Sequence, residues 1–176
     1  MPGCLVLVVG PSGAGKDTLI RLARAALADD PRYVFPRRLV TRPPSVDEDN
    51  DEIDEAAFAE GCAAGRFTLS WRAHGLGYAL PADAGRRAAD GSVVICNVSR
   101  RIVAQARRTC LRVSVVEVTA PPEILVQRIA ARGRAQDGDL SARLAREGGV
   151  AADLTILNTG APDEAASQLV SHLRAC

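Results

Sequence analysis

The stretch Gly10-Pro11-Ser12-Gly13-Ala14-Gly15-Lys16-Asp17 constrains this chain more than any other. It follows the apolar run Leu5-Val6-Leu7-Val8-Val9 and precedes a segment with helical spacing. Strand, then G-x-x-x-x-G-K, then helix is the order that wraps backbone N–H groups around a phosphate. Gly10, Gly13 and Gly15 let the backbone turn inward with no side chain in the way. The helix beyond offers unpaired N–H groups and the positive end of its dipole. Lys16 adds a full charge that reaches the outer phosphates of a nucleoside triphosphate. Asp17 stands where Ser or Thr commonly meets a magnesium ion, and Thr18 follows it. Both carry hard oxygen, so either is a candidate metal ligand. The phosphate-binding candidates are therefore Gly10, Pro11, Ser12, Gly13, Ala14, Gly15, Lys16, Asp17 and Thr18.

A chain of 176 residues makes one domain with a real core. Only 3% of it is aromatic, so that core must be built from Ala, Val, Leu and Ile. The net charge of +1 argues against non-specific partners such as nucleic acid or a membrane surface. Residues 1–9 lack a basic start and run straight into the glycine loop, so they read as a buried strand rather than a signal peptide. No apolar stretch is long enough to span a bilayer. The five cysteines share no metal-like spacing, which fits reduced thiols in a cytoplasmic protein.

Strands and helices alternate along the chain. Leu5 to Val9 is a strand buried on both faces, and about Lys16 to Ala28 a helix with Leu19, Ala23, Ala26 and Leu27 on one face. Tyr33 to Val40 reads as one strand interrupted by Pro36, and the acidic stretch Asp47 to Glu55 as a solvated loop. Asp54 caps a short helix that holds Phe58 and ends at Gly65. Phe67 to Trp71 is a strand, His74 to Tyr78 a turn-rich return, and Pro81 to Asp90 a helix. Strands at Val93–Cys96, Val113–Val118 and Leu154–Leu157 follow. Helices run from about Ser99 to Thr109, from Pro121 to Gly133 and from Asp163 to Leu173. This is the pattern of an α/β doubly wound parallel sheet, which binds ligands at the carboxyl ends of its strands.

Several features recur together: the glycine loop, Thr41-Arg42-Pro43, Arg128 to Arg134 with its R-x-x-x-R-G, Ala142-Arg143-Leu144 and Ile156-Leu157-Asn158. In this order the chain resembles the guanylate kinase-like branch of the nucleoside monophosphate kinases over nearly its whole length. The resemblance implies a P-loop kinase with a five-stranded parallel sheet. A single domain, 1–176, would have its core in 1–31 and 91–176. An acceptor-binding insert would fill about 36–90, and an arginine-rich lid about 133–147. Departures from guanylate kinases narrow the match. No tyrosine lies between Asn50 and Glu55, Ser70 stands where an acid reads guanine, and the D-x-D strand reads Asn97-Val98-Ser99. Val40-Thr41-Arg42-Pro43, the G-K-D loop and Leu69 to Leu76 look instead like the ribose 1,5-bisphosphate phosphokinases of phosphonate breakdown. The reaction so implied is transfer of the γ-phosphoryl of ATP, with Mg2+, to ribose 1,5-bisphosphate, by a monomer or homodimer.

Such a transfer needs in-line positioning and cancellation of crowded negative charge rather than a base. Arginine suits that work because it is always charged and grips phosphate bidentately. On the resemblance, Lys16, Arg132 and Arg143 are the catalytic candidates, with Arg128, Arg134 and Arg146 beside them. Asn158 matches a position that contacts adenine. Arg42 is the candidate for the acceptor phosphate, with Arg37 and Arg38 read as an exposed strand edge behind it. Ser70, Arg72 and His74 fall where the acceptor pocket is expected. Two other readings compete: a divergent guanylate kinase, and a non-catalytic nucleotide-binding scaffold domain.

Overall fold

Strand β1 (Cys4–Val9) is buried at every position, so both of its faces must be covered. The computed structural model describes residues 3–43, 49–132 and 150–176, and how β1 is covered sets the architecture. After β1 come α1 (Lys16–Ala26), β2 (Tyr33–Val34), β3 (Arg38–Val40), β4 (Asn50–Glu52) and α2 (Glu55–Ala63). The hairpin β5 (Phe67–Ala73) and β6 (Leu76–Pro81) leads into α3 (Ala82–Ala89) and β7 (Val93–Asn97). A 3-10 turn at Arg100–Ile102 opens α4 (Val103–Thr109), followed by β8 (Val113–Thr119) and α5 (Pro122–Arg132). Strand β9 (Leu154–Leu157) and α6 (Pro162–Ala175) complete the described elements.

Five strands form a sheet in the order β2-β7-β1-β8-β9, parallel throughout, with β1 at its centre. On one face, Val6 and Val8 of β1 pack with Leu19 and Ala23 of α1, Leu125 of α5 and Leu169 of α6. Ala26, expected on the same stripe of α1, is exposed. On the other face, Leu5, Leu7 and Val9 meet Ala84 of α3, Val103 of α4, and Leu69 and Leu80 of a second sheet. That second sheet has the order β4-β3-β6-β5. Its strands β3, β5 and β6 pair antiparallel, while β4 runs parallel to β3.

Three expectations change. Tyr33 to Val40 is two strands in two different sheets, because Pro36 has no N–H for a ladder and lets the chain leave the first sheet for the second. The acidic stretch is not merely a solvated loop: Asn50–Glu52 is the edge strand β4. There Asp49 bridges Arg24 and Arg37, which also lies 3.2 Å from Asp51. The return after β5 is a full strand, with the turn confined to His74 and Gly75, both at positive φ (52° and 76°). The lid segment, with Arg134, Arg143 and Arg146, lies outside the described residues, as do Asp47 and Glu48; the backbone of Arg132 closes α5 and its side chain is not described.

The Asp54 cap is present: its carboxylate accepts from the N–H of Ala57 at 2.7 Å, fixing the start of α2. That helix holds Phe58 against Gly77, where a methyl group would come within 2.7 Å of the ring. Asp54→Ala should therefore cost about 1 kcal/mol and lower the thermal midpoint by roughly 2–4 °C, as calorimetry would read it.

Candidate active site

β1 delivers the chain into the loop at Gly10, where φ is 143° and an added Cβ would lie 2.0 Å from the carbonyl oxygen of Val118. No other residue fits so close to the neighbouring strand. The loop ends at Gly15, φ 94°, which caps α1 without any side-chain acceptor for the helix's first N–H groups. A helix start left this way favours an anion. The Lys16 ammonium folds back across the loop and donates to the carbonyls of Gly10 (2.8 Å) and Pro11 (2.9 Å). Its charge is thus fixed at the mouth. From α5, Arg128 reaches the same loop and donates to the Gly13 carbonyl at 3.4 Å. From the end of β9, buried Asn158 donates through Nδ2 to the Ala14 carbonyl at 2.8 Å.

Asp17, one residue further, accepts at 2.7 Å from the side-chain amide of Asn97, at the carboxyl end of β7. The backbone carbonyl of Asn97 in turn accepts from Arg38 at 3.1 Å. Arg38 also donates to the side chain of buried Asn50 at 3.1 Å and lies over the ring of Tyr78, 5.7 Å from its centroid. Tyr78 stacks on Trp71 with centroids 5.5 Å apart. The glycine loop is thereby joined through Asp17, Asn97 and Arg38 to one face of the second sheet. Arg38 is no exposed strand edge, whereas Arg37 is half-exposed and held by Asp49 and Asp51.

The remaining acceptor candidates are spread out. Arg42 is half-buried, just beyond β3. The residue before it is pinned by two bonds to Gly77: Thr41 N–H donates to the Gly77 carbonyl at 3.0 Å, and Gly77 N–H donates to the Thr41 hydroxyl at 2.8 Å. Ser70 pairs with Ala79 and Arg72 with Gly77, so alternation puts both on the face opposite Trp71 and Tyr78. Arg72 is engaged there by Glu55 and sits 5.0 Å over the Phe58 ring. Its hydrogen bond holds the Glu55 carboxyl below the usual carboxylate range. His74 occupies the hairpin turn.

Asn97, Asn50 and Arg38 were not singled out as site residues from sequence. Asn97 carried two usable signals, since it ends a strand beside β1 and stands at the first position of the D-x-D strand of guanylate kinases. A groove of about 680 Å³ opens at the other end of β1, near Gly3, Leu5 and Gly85, and belongs to neither the loop nor the second-sheet face.

Known proteins resemble this chain in sequence and in fold. The chain is 86% identical over 176 residues, all of both chains, to a ribose 1,5-bisphosphate phosphokinase of Methylobacterium radiotolerans. It is 49% identical to that of Bradyrhizobium diazoefficiens, covering 98% of this chain and 89% of the relative. The chain belongs to the ribose 1,5-bisphosphate phosphokinase family. No protein-family model matches it. A guanylate kinase from Anaplasma phagocytophilum superposes with a TM-score of 0.67 over 99% of this chain and 86% of that one, at 18% identity. That likeness concerns the fold, and it is the P-loop kinase fold expected from the sequence. No helix among the described residues is long and apolar enough to cross a membrane.

In a member of the ribose 1,5-bisphosphate phosphokinase family, the loop charge should matter more to the reaction than to the fold. If Lys16 is the cation that meets charge growing in the transition state, Lys16→Met should reduce turnover by roughly 100-fold or more, about 3 kcal/mol. Steady-state rates on a variant with an unchanged circular dichroism spectrum check this.

Proposed function

We propose that the protein transfers the γ-phosphoryl group of ATP to the 1-phosphate of ribose 1,5-bisphosphate, giving 5-phosphoribosyl 1-diphosphate in phosphonate breakdown. The observation that carries this reading is full-length identity of 86% to a relative named for that substrate. The loop geometry is compatible with it: the first N–H groups of α1 have no side-chain cap and the Lys16 ammonium lies against the loop carbonyls.

In this reading the loop N–H groups and Lys16 hold the β- and γ-phosphates of ATP, with Arg128 alongside. Arg42 holds a phosphate of the acceptor. Arg132 and Arg143 are the candidates, on the resemblance alone, for neutralising the transferring group, where such charge counts most at the transition state. The attacking oxygen already belongs to a phosphate anion, so no side chain has to remove a proton. What the residues must do is hold two polyanions in line and keep water out.

Magnesium fits the oxygens present. Asn97 engages one oxygen of the Asp17 carboxylate, leaving the other for a cation, and Thr18, the next residue of α1, is the alternative ligand. Among the described residues no three His, Cys, Asp or Glu side chains cluster as metal ligands. That suits an ion held by one or two protein oxygens together with substrate phosphates. Held by Asp17 or Thr18, magnesium would supply charge neutralisation to the phosphates.

The relatives named for ribose 1,5-bisphosphate support a sugar phosphate over a nucleotide as acceptor; the missing acid at Ser70 does not bear on this, since β5 turns Ser70 to the face opposite Trp71 and Tyr78. Initial rates with ATP should therefore be at least tenfold higher for ribose 1,5-bisphosphate than for GMP at matched concentrations. Faster turnover of GMP would restore the guanylate kinase reading, and no turnover of any acceptor would favour the scaffold.

A further inference from the structure

Asn158 is one of two buried polar residues among those described, at 4% exposure. Its side chain is enclosed at both ends. Nδ2 donates to the Ala14 carbonyl at 2.8 Å, and Oδ1 is buried with no partner among the described residues. Its own N–H is tied to the Thr119 carbonyl at 2.8 Å, so the residue is anchored on the central sheet. Gly15 packs directly upon it: a Cβ there would come within 2.4 Å of Nδ2.

The Ala14 carbonyl and the Gly15 N–H belong to a single peptide group. That group is planar and trans, so the two point in opposite directions. Holding the carbonyl down onto Asn158 therefore turns the Gly15 N–H the other way, into the turn of the loop. Neither the loop nor the helix takes up that N–H. Gly15, at positive φ, borders this peptide on one side and tolerates either φ sign, and among the described residues Asn158 is the side chain that bonds its carbonyl.

We propose that Asn158 is a positioning residue for the phosphate loop: by fixing the Ala14 carbonyl it aims the Gly15 N–H at the donor phosphates. It acts through the backbone and does not read the base. Its buried Oδ1 has no opening toward an adenine amino group. The proposal rests on the reading of this loop as the cradle for ATP phosphates.

The test uses the full chain carrying Asn158→Ala and, separately, Asn158→Asp. The second keeps the side chain's shape and buried oxygen but replaces the donor with a group that repels the Ala14 carbonyl. Binding of magnesium triphosphate, which has no base, is measured by calorimetry, and kcat and KM are measured with ATP and with GTP. Both variants should bind triphosphate about tenfold more weakly. Both should lose kcat/KM with ATP and GTP in equal proportion. Unchanged triphosphate binding, with loss confined to the preference for ATP over GTP, would make Asn158 a base contact and overturn the proposal. No change in either measurement would overturn it too. Lys16→Met is the reference: if it keeps full triphosphate affinity, the cradle reading itself fails, whatever Asn158 does. Thermal unfolding of each variant separates loss of fold from loss of aim, and Asn158→Asp carries the test if Asn158→Ala does not fold.

Discussion

Everything in this molecule depends on burying one strand. Each residue of β1 is at most 1% exposed, so helices must cover one face while helices and a second sheet cover the other. A strand so enclosed can end in only one useful way. Its last residue passes into a glycine turn at the foot of a helix, where buried backbone meets a polar cleft. The glycines are dictated by closeness: at Gly10 the loop lies against β8, and at Gly15 against Asn158. The same packing that builds the core thus shapes an anion site at its edge.

In the proposed reaction the second sheet would have a different task, which is to bring one polyanion up to another. Arg38 links the two halves, with one nitrogen on the main-sheet carbonyl of Asn97 and another on Asn50 of the edge strand. Asn97 also holds Asp17 at the first turn of α1. A shift of the second sheet is therefore felt at the loop through two hydrogen bonds and one side chain. The acidic residues of the second sheet and α2 are largely paired, since Asp49 and Asp51 face Arg37 and Glu55 faces Arg72. Their pairing with arginine limits how far they repel a bisphosphate.

Much of this was legible in sequence because it is local. The glycine spacing, the continuous apolar run of β1 and the Asp54 cap each depend on residues within a few positions of one another. The resemblance to guanylate kinase-like enzymes added the order of the parts. What could not be read was long-range. The bond between Asn97 and Asp17 spans 80 positions, and that between Asn158 and Ala14 spans 144. No periodicity announces such pairs. Strand β4 was hidden for another reason: its Asn-Asp-Glu composition disfavours strands, and it forms because β3 offers an edge and Arg37 and Arg38 hold its backbone and first side chain. Arg72 misled because its chemistry suits a phosphate, yet the pleat of β5 turns it toward Glu55.

The central claim is that one phosphate group moves onto another at the anomeric position of a sugar. Phosphorus NMR of the product, made from ATP labelled in its γ-phosphate with ribose 1,5-bisphosphate as acceptor, tests it most directly. The account predicts that the labelled phosphorus becomes the outer phosphate of a diphosphate at carbon 1, with the 5-phosphate unlabelled. Label found in inorganic phosphate alone, or on any other position of the sugar, would contradict it.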